Sequence, residues 1–244
     1  MNGLIRGIFT YLNVPSASFK YGLWPYYFLA GGISLILGVG LVYGSYSYGD
    51  DLGVWLASFI PWDWGANLVE QAGAWLGRIG ILALSLIIYK YIVLVIVAPI
   101  MSPLSAKIER RMTGLSTSEK FSILSFTKEM WRGLRIALRN IWREVIFTLL
   151  LLILSFVPGF ALITTPLIFL VQAYYAGFGN MDYFMERHYS VSGAVQYVRR
   201  NRGLAIGNGS IFLLLLTIPF VGFLIAPGIS TTAATIAIMK RDPH

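Results

Sequence analysis

Along the chain, long apolar runs alternate with short charged segments. Residues 21–49, 145–181 and 203–239 contain no Asp, Glu, Lys or Arg, and 79–106 contains only Lys90. Each run exceeds the roughly 18 apolar residues that mark a membrane-span candidate. The pattern predicts an all-α integral membrane protein. A first span is expected over 21–48, where Gly31, Gly32, Gly38, Gly40 and Gly44 allow close helix approach. A second is expected over 79–101. Ahead of them, Leu4, Ile5, Ile8, Phe9 and Leu12 share one helical face, which suits a short interfacial helix within 1–20. No signal peptide is expected there.

The runs 145–181 and 203–239 are 37 residues each and share a pattern. SFVPGFALITTPL (155–167) and LTIPFVGFLIAPG (216–228) both place a β-branched residue before a proline, with another proline eight positions on. A full hairpin needs about 20 residues per leg plus a turn. The leg from Val145 to Val157 gives only about 20 Å of helix, against about 30 Å of hydrocarbon. Proline lacks an N–H and glycine tolerates a bend, so the break falls at Pro158 and Gly159. Two re-entrant hairpins are therefore expected, with Pro158, Gly159, Pro166, Pro219 and Pro227 at their tips. Six complete spans with tight outer turns are the alternative.

Charge then orients these elements. Segment 50–78 carries Asp50, Asp51, Asp63 and Glu70 against Arg78, a net of −3, while 107–144 carries nine Lys/Arg against four Glu, a net of +5. Basic loops stay in the cytoplasm, so 50–78 is expected outside and both termini inside. Lys128, Arg132, Arg135, Arg139 and Arg143 form a basic stripe on a helix that runs into the first hairpin. They suit a rim for membrane lipid or for anions collecting at the cytoplasmic mouth. Nucleic acid is not expected as a partner. Lys90 lies mid-span, where it marks a candidate site or snorkels to the interface. Glu109 can pair with Arg110, Arg111 or a distant arginine.

Composition narrows the chemistry. Only 12 % of residues are charged and 57 % are hydrophobic. With no cysteine and two histidines, disulfides and thiolate metal sites are excluded and no cofactor is implied. No nucleotide-binding or hydrolase motif appears, so an enzyme is not expected.

Three stretches together resemble the CysZ-type sulfate permease family: API…L..KIERRMTG at 98–114, LSFVPGF…P…Y at 154–175 followed by Asp182, and RRNRG…G…LTIPFVGFLIAP…A…KRD at 199–242. The resemblance implies two full spans, two half-penetrating hairpins and a homo-oligomer that completes a pore. It also implies sulfate uptake across the bacterial inner membrane, feeding cysteine synthesis. Residue by residue it points to Glu109, Arg111, Asp182 and either Arg199 or Arg200. Where the family carries an arginine pair proposed to receive sulfate, this chain has PSASFKYG and offers only Lys20. A lysine lacks the bidentate fork of arginine. The rival expectation is a structural or adaptor membrane protein that docks lipid or a partner through the 107–144 basic helix, without ion flux.

Overall fold

The computed structural model describes residues 3–57, 92, 96–114, 123–155, 157, 159–218 and 221–241. Only the backbone is described at 41–42, 44–57, 123–130, 221 and 223. Lys90, Pro158, Pro219 and the Lys128 side chain therefore lie outside the described residues, as do 58–78 and most of the expected second span.

Regular structure among the described residues is helical throughout. Helix α1 (Gly3–Phe9) passes through a 3₁₀ turn (Thr10–Asn13) into α2 (Val14–Tyr21). Gly22 then takes a left-handed conformation, φ 61°, and accepts the end of α2 while Leu23 N–H donates to Ser18 O at 3.1 Å. The chain bends by 116° here and enters α3 (Trp24–Ala57), whose helix continues past the expected boundary at 48. Helix α4 occupies 96–113, and α5 (Ile123–Ser155) carries the basic stripe directly into the first apolar hairpin leg. Helices α6 (Ala161–His188), α7 (Val191–Arg200), α8 (Arg202–Leu216) and α9 (Val221–Met239) complete the chain. Ser190 caps α7 by accepting from Gly193 N–H at 3.2 Å.

The α5–α6 turn contains Gly159 at φ 83°, a conformation that glycine adopts without a Cβ penalty. This turn is off-centre in the apolar run. The incoming leg 145–155 is about 16 Å long and the outgoing leg 161–181 about 31 Å, at 1.5 Å per residue. Pro166 and Pro227 do not sit at tips: they lie inside α6 and α9, respectively. A proline near the start of a helix removes one backbone bond, and in α6 the Thr164 and Thr165 hydroxyls donate to Phe160 O and Ala161 O at 3.1 and 2.8 Å. Among the described residues, Ala161–His188 alone is long and apolar enough to cross a bilayer; Gly3–Tyr21 and Trp24–Gly40 qualify only as a bent pair.

Small residues set the helix spacing. At Gly177 an added Cβ would run into Ala205 O, and at Gly209 into Ala173 O, so α6 and α8 cross with backbones nearly touching. Gly31 meets Leu224 O on α9 in the same way, whereas Gly32 and Gly40 face open space.

Polar side chains share the interior with an apolar core that includes Phe178, Phe184, Phe212 and Met181. Ser230, Thr231, Thr232 and Thr235 on α9 are fully buried, as are Asn180 on α6 and Asn208 on α8. Tyr27 Oη sits 2.8 Å from both Ser18 Oγ and Thr232 Oγ1, tying α2, α3 and α9 together. Tyr11 Oη donates to Asn208 O and Ser230 Oγ at 2.8 Å each, and Asn180 Nδ2 donates to Asn208 Oδ1 at 2.9 Å. Outside, Leu12, Phe19, Ile36, Ile153, Leu162 and Ile163 are exposed. The Leu4, Ile5, Phe9 and Leu12 stripe also faces outward, while Gly7, Thr10 and Ala17 face in. Exposed apolar side chains outside and hydrogen-bonded small polar ones inside suit apolar surroundings.

Candidate functional site

Helix α6 ends in a cluster of charges that the fold gathers from three helices, α4, α5 and α6 itself. On one side, Glu109 of α4 receives Arg187: Nη2 donates to Oε2 at 3.0 Å and Nε to the same oxygen at 3.3 Å. The other oxygen, Oε1, lies 2.7 Å from His188 Nε2. Arg187 also donates through Nη1 to Ser102 O at 3.2 Å and Tyr183 O at 2.6 Å, and through Nη2 to Ser105 Oγ at 2.9 Å. Ser105 Oγ in turn lies 2.9 Å from Thr235 Oγ1 on α9. Arg187 packs 5.7 Å from the Phe184 ring centroid, and the His188 ring stacks on Phe184 at 4.6 Å. The guanidinium is saturated with acceptors.

On another face of α6, Asp182 meets Arg132 of α5. Arg132 Nη1 lies 3.3 and 3.4 Å from the two carboxylate oxygens, and the side chains are 14 % and 10 % exposed. Arg132 Nε and Nη2 are buried and have no hydrogen-bond partner among the described residues. The open edge of a guanidinium is a planar two-donor fork, which matches two oxygens of a carboxylate, phosphate or sulfate. An unpaired buried donor is costly, so this edge favours any anion that reaches it.

The structure thus joins part of the expected set and separates the rest. Glu109 takes a distant arginine, Arg187, while Arg110 and Arg111 do not pair with it. Arg111 is exposed on α4. Arg132 leaves the basic rim to hold Asp182; Arg135 stays exposed, and Arg139 and Arg143 are half-buried further along α5. Lys20 is exposed at the end of α2, 5.7 Å from its neighbour's Tyr21 ring, and Arg199 and Arg200 are exposed at the end of α7. Lys107, which the sequence reading left without a role, donates to Gly22 O at 2.9 Å and links α4 to the α2–α3 bend. Sequence reasoning missed Arg187, His188 and Ser105. The one available signal was DYFMERH, a dense charged stretch closing a long apolar run at 182–188. Among the described residues no group of acidic and histidine side chains has metal-site geometry.

Comparison with known proteins gives a consistent likeness. The family described as sulfate transporter CysZ/etoposide-induced protein 2.4 matches residues 15–227. Two curated proteins named sulfate transporter CysZ, from Pseudomonas aeruginosa strains LESB58 and PAO1, are each 28 % identical over 149 residues. The matched stretch is 61 % of this chain, and the chain spans 60 % of the length of these relatives.

Proposed function

The chain belongs to the sulfate transporter CysZ/etoposide-induced protein 2.4 family, and from that premise we propose that it carries sulfate or a closely related oxyanion across the bacterial inner membrane, supplying cysteine synthesis. The relatives' name, sulfate transporter CysZ, supports the substrate. The observation that carries the reading within this molecule is the buried, unpartnered Nε and Nη2 edge of Arg132. In this reading the Arg132 fork receives two sulfate oxygens, and Asp182 holds the guanidinium through Nη1 while competing with the anion for its charge. Release is then possible because the site carries its own countercharge. Lys20 and Arg200, both exposed, meet the anion first. Glu109, Arg187 and His188 keep α6 in place and do not touch the anion. This is transport chemistry, with no bond made or broken.

The incoming hairpin legs 145–155 and 202–216 are about 16 and 22 Å long, shorter than about 30 Å of hydrocarbon, which supports half-penetrating hairpins, whereas the outgoing leg 161–181, about 31 Å, is long enough to cross. The basic loops support both termini in the cytoplasm. A protomer with such legs needs further copies to complete a path, so the working form is a homo-oligomer. The absence of native cysteine allows a direct topology test. A cysteine introduced at Ala161 resists membrane-impermeant reagents from outside if the first hairpin stops half-way, and labels readily if it crosses.

The functional test is uptake of labelled sulfate into proteoliposomes, with sulfite, phosphate and chloride as competitors. Saturable uptake that sulfite blocks and chloride does not, weakened in Arg132→Lys, is expected. Flat uptake by folded, oligomeric protein would refute transport and leave an adaptor role for the basic helix.

A further inference from the structure

About two turns before Asp182 on α6, a second set of cations converges on a pair of tyrosines. Arg139 and Arg143 stand one turn apart on α5, Arg199 lies at the end of α7, and Arg202 opens α8. All four lie close enough to Tyr174 to act on it electrostatically, and Arg139 and Arg143 act likewise on Tyr175. The two tyrosine rings meet edge to face at 5.0 Å. Arg139 is braced against α6: its guanidinium lies 5.8 Å from the Phe178 ring centroid, and Nη1 donates to Asn140 Oδ1 at 2.8 Å. Two regions far apart in sequence, α5 and the α7–α8 junction, therefore bring four guanidiniums within electrostatic reach of Tyr174.

The charge there is not balanced. Arg143, Arg199 and Arg202 have no hydrogen bond or ion pair to the described residues. Glu144, which is buried and acts on Tyr175, sets one carboxylate against the four cations. Burial first, and then the neighbouring Arg143 charge, push Arg139 below the ordinary arginine range. Like charges held together without counterions raise the energy of the fold, and a bound anion offsets that cost. The surroundings add a constraint. Leu138, Trp142 and Ile146 on α5 and Leu170 on α6 are exposed and apolar beside the cluster. A basic pocket at the margin of an apolar belt is where a phospholipid headgroup rests, with its chains along the belt.

We propose that Arg139, Arg143, Arg199 and Arg202, with the Tyr174 hydroxyl, form a binding site for a tetrahedral oxyanion, separate from Arg132. The ligand is the phosphodiester of an anionic phospholipid or a free phosphate or sulfate from the cytoplasm. This site goes beyond the transport reading and does not require flux.

The test uses the purified full-length protein. One arm compares retention of phosphatidylglycerol with that of phosphatidylcholine by native mass spectrometry. The other measures binding of inorganic phosphate and of sulfate in neutral detergent by calorimetry. Arg143→Gln and Arg202→Gln remove one guanidinium each, and Arg135→Gln removes the same charge from an exposed position outside the cluster. Arg132→Lys, run in parallel, separates the two sites in the sulfate arm. Each cluster variant is expected to weaken binding in at least one arm by about tenfold, the loss of one charge-assisted contact, while Arg135→Gln leaves it unchanged. Loss confined to the lipid arm assigns the phosphodiester, and loss confined to the inorganic arm assigns the free ion. Unchanged binding in both arms, or an equal loss in Arg135→Gln, would overturn the site. Arg202 is exposed, so Arg202→Gln gives a variant whose folding does not depend on the substituted side chain.

Discussion

Two arginine–carboxylate pairs grip the same helix and are built differently. Arg187 spends its donors on Glu109, Ser102 O, Tyr183 O and Ser105, and Glu109 uses its second oxygen on His188. Arg132 touches Asp182 through one nitrogen at 3.3 and 3.4 Å and leaves Nε and Nη2 unpartnered. Both pairs are largely buried. The difference teaches that a buried ion pair does not announce its role by charge and burial alone. Saturated donors fix a position, while unsatisfied donors leave capacity for a ligand.

The comparison breaks or sharpens on five substitutions. The largest effect is expected from Arg187→Ala, which removes five donated bonds and leaves Glu109 with His188 alone: a stability loss of about 3–5 kcal/mol, read from unfolding in detergent. Arg132→Ala should cost clearly less in the same assay, and an equal cost would erase the distinction between the pairs. Arg132→Lys keeps the charge and loses the fork; sulfate affinity should fall about tenfold, near 1.4 kcal/mol, with the melting temperature almost unmoved. Asp182→Asn removes the competing charge, so the sulfate KM in proteoliposomes should drop and turnover should slow. A raised KM would argue that Asp182 merely orients Arg132. Arg111→Ala should shift stability by less than about 0.5 kcal/mol and leave uptake intact, because the side chain is exposed.

How much of this was legible in the sequence depends on the range of each interaction. The helical content, the apolar runs and the break near Gly159 follow from local rules, because proline and glycine act on their own backbone. The basic stripe on α5 was legible for the same reason: spacing reports which residues share a face. Spacing does not report what lies opposite. Glu109 finds Arg187 78 positions away, and Asp182 finds Arg132 at 50. Nothing local separated Arg132 from Arg135 and Arg139 in the stripe, or set Arg111 apart from Glu109. The hydroxyls of 230–235 went unremarked inside an apolar run, yet Ser230, Thr232 and Thr235 are buried and bond to Tyr11, Tyr27 and Ser105. Hydrophobicity ranks the large buried side chains such as Phe178, Phe184 and Phe212 but says nothing of these small polar ones packed beside them. The prolines at 166 and 227 misled because each falls within the first two turns of a helix, where the loss of one backbone N–H is tolerated.

Asp182 and Arg187 are five residues apart, which on an α-helix is about 140° of rotation, so α5 and α4 hold α6 from different directions. A shaft keyed on two sides cannot turn in its bearing without shearing a key. If α6 slid or rotated by one residue, Arg132 and Glu109 would lose their partners together, and the Gly177 crossing would jam against α8. Motion that admits an anion must therefore leave the axis of α6 fixed and occur around it, which makes this helix the stationary part against which the others are geared.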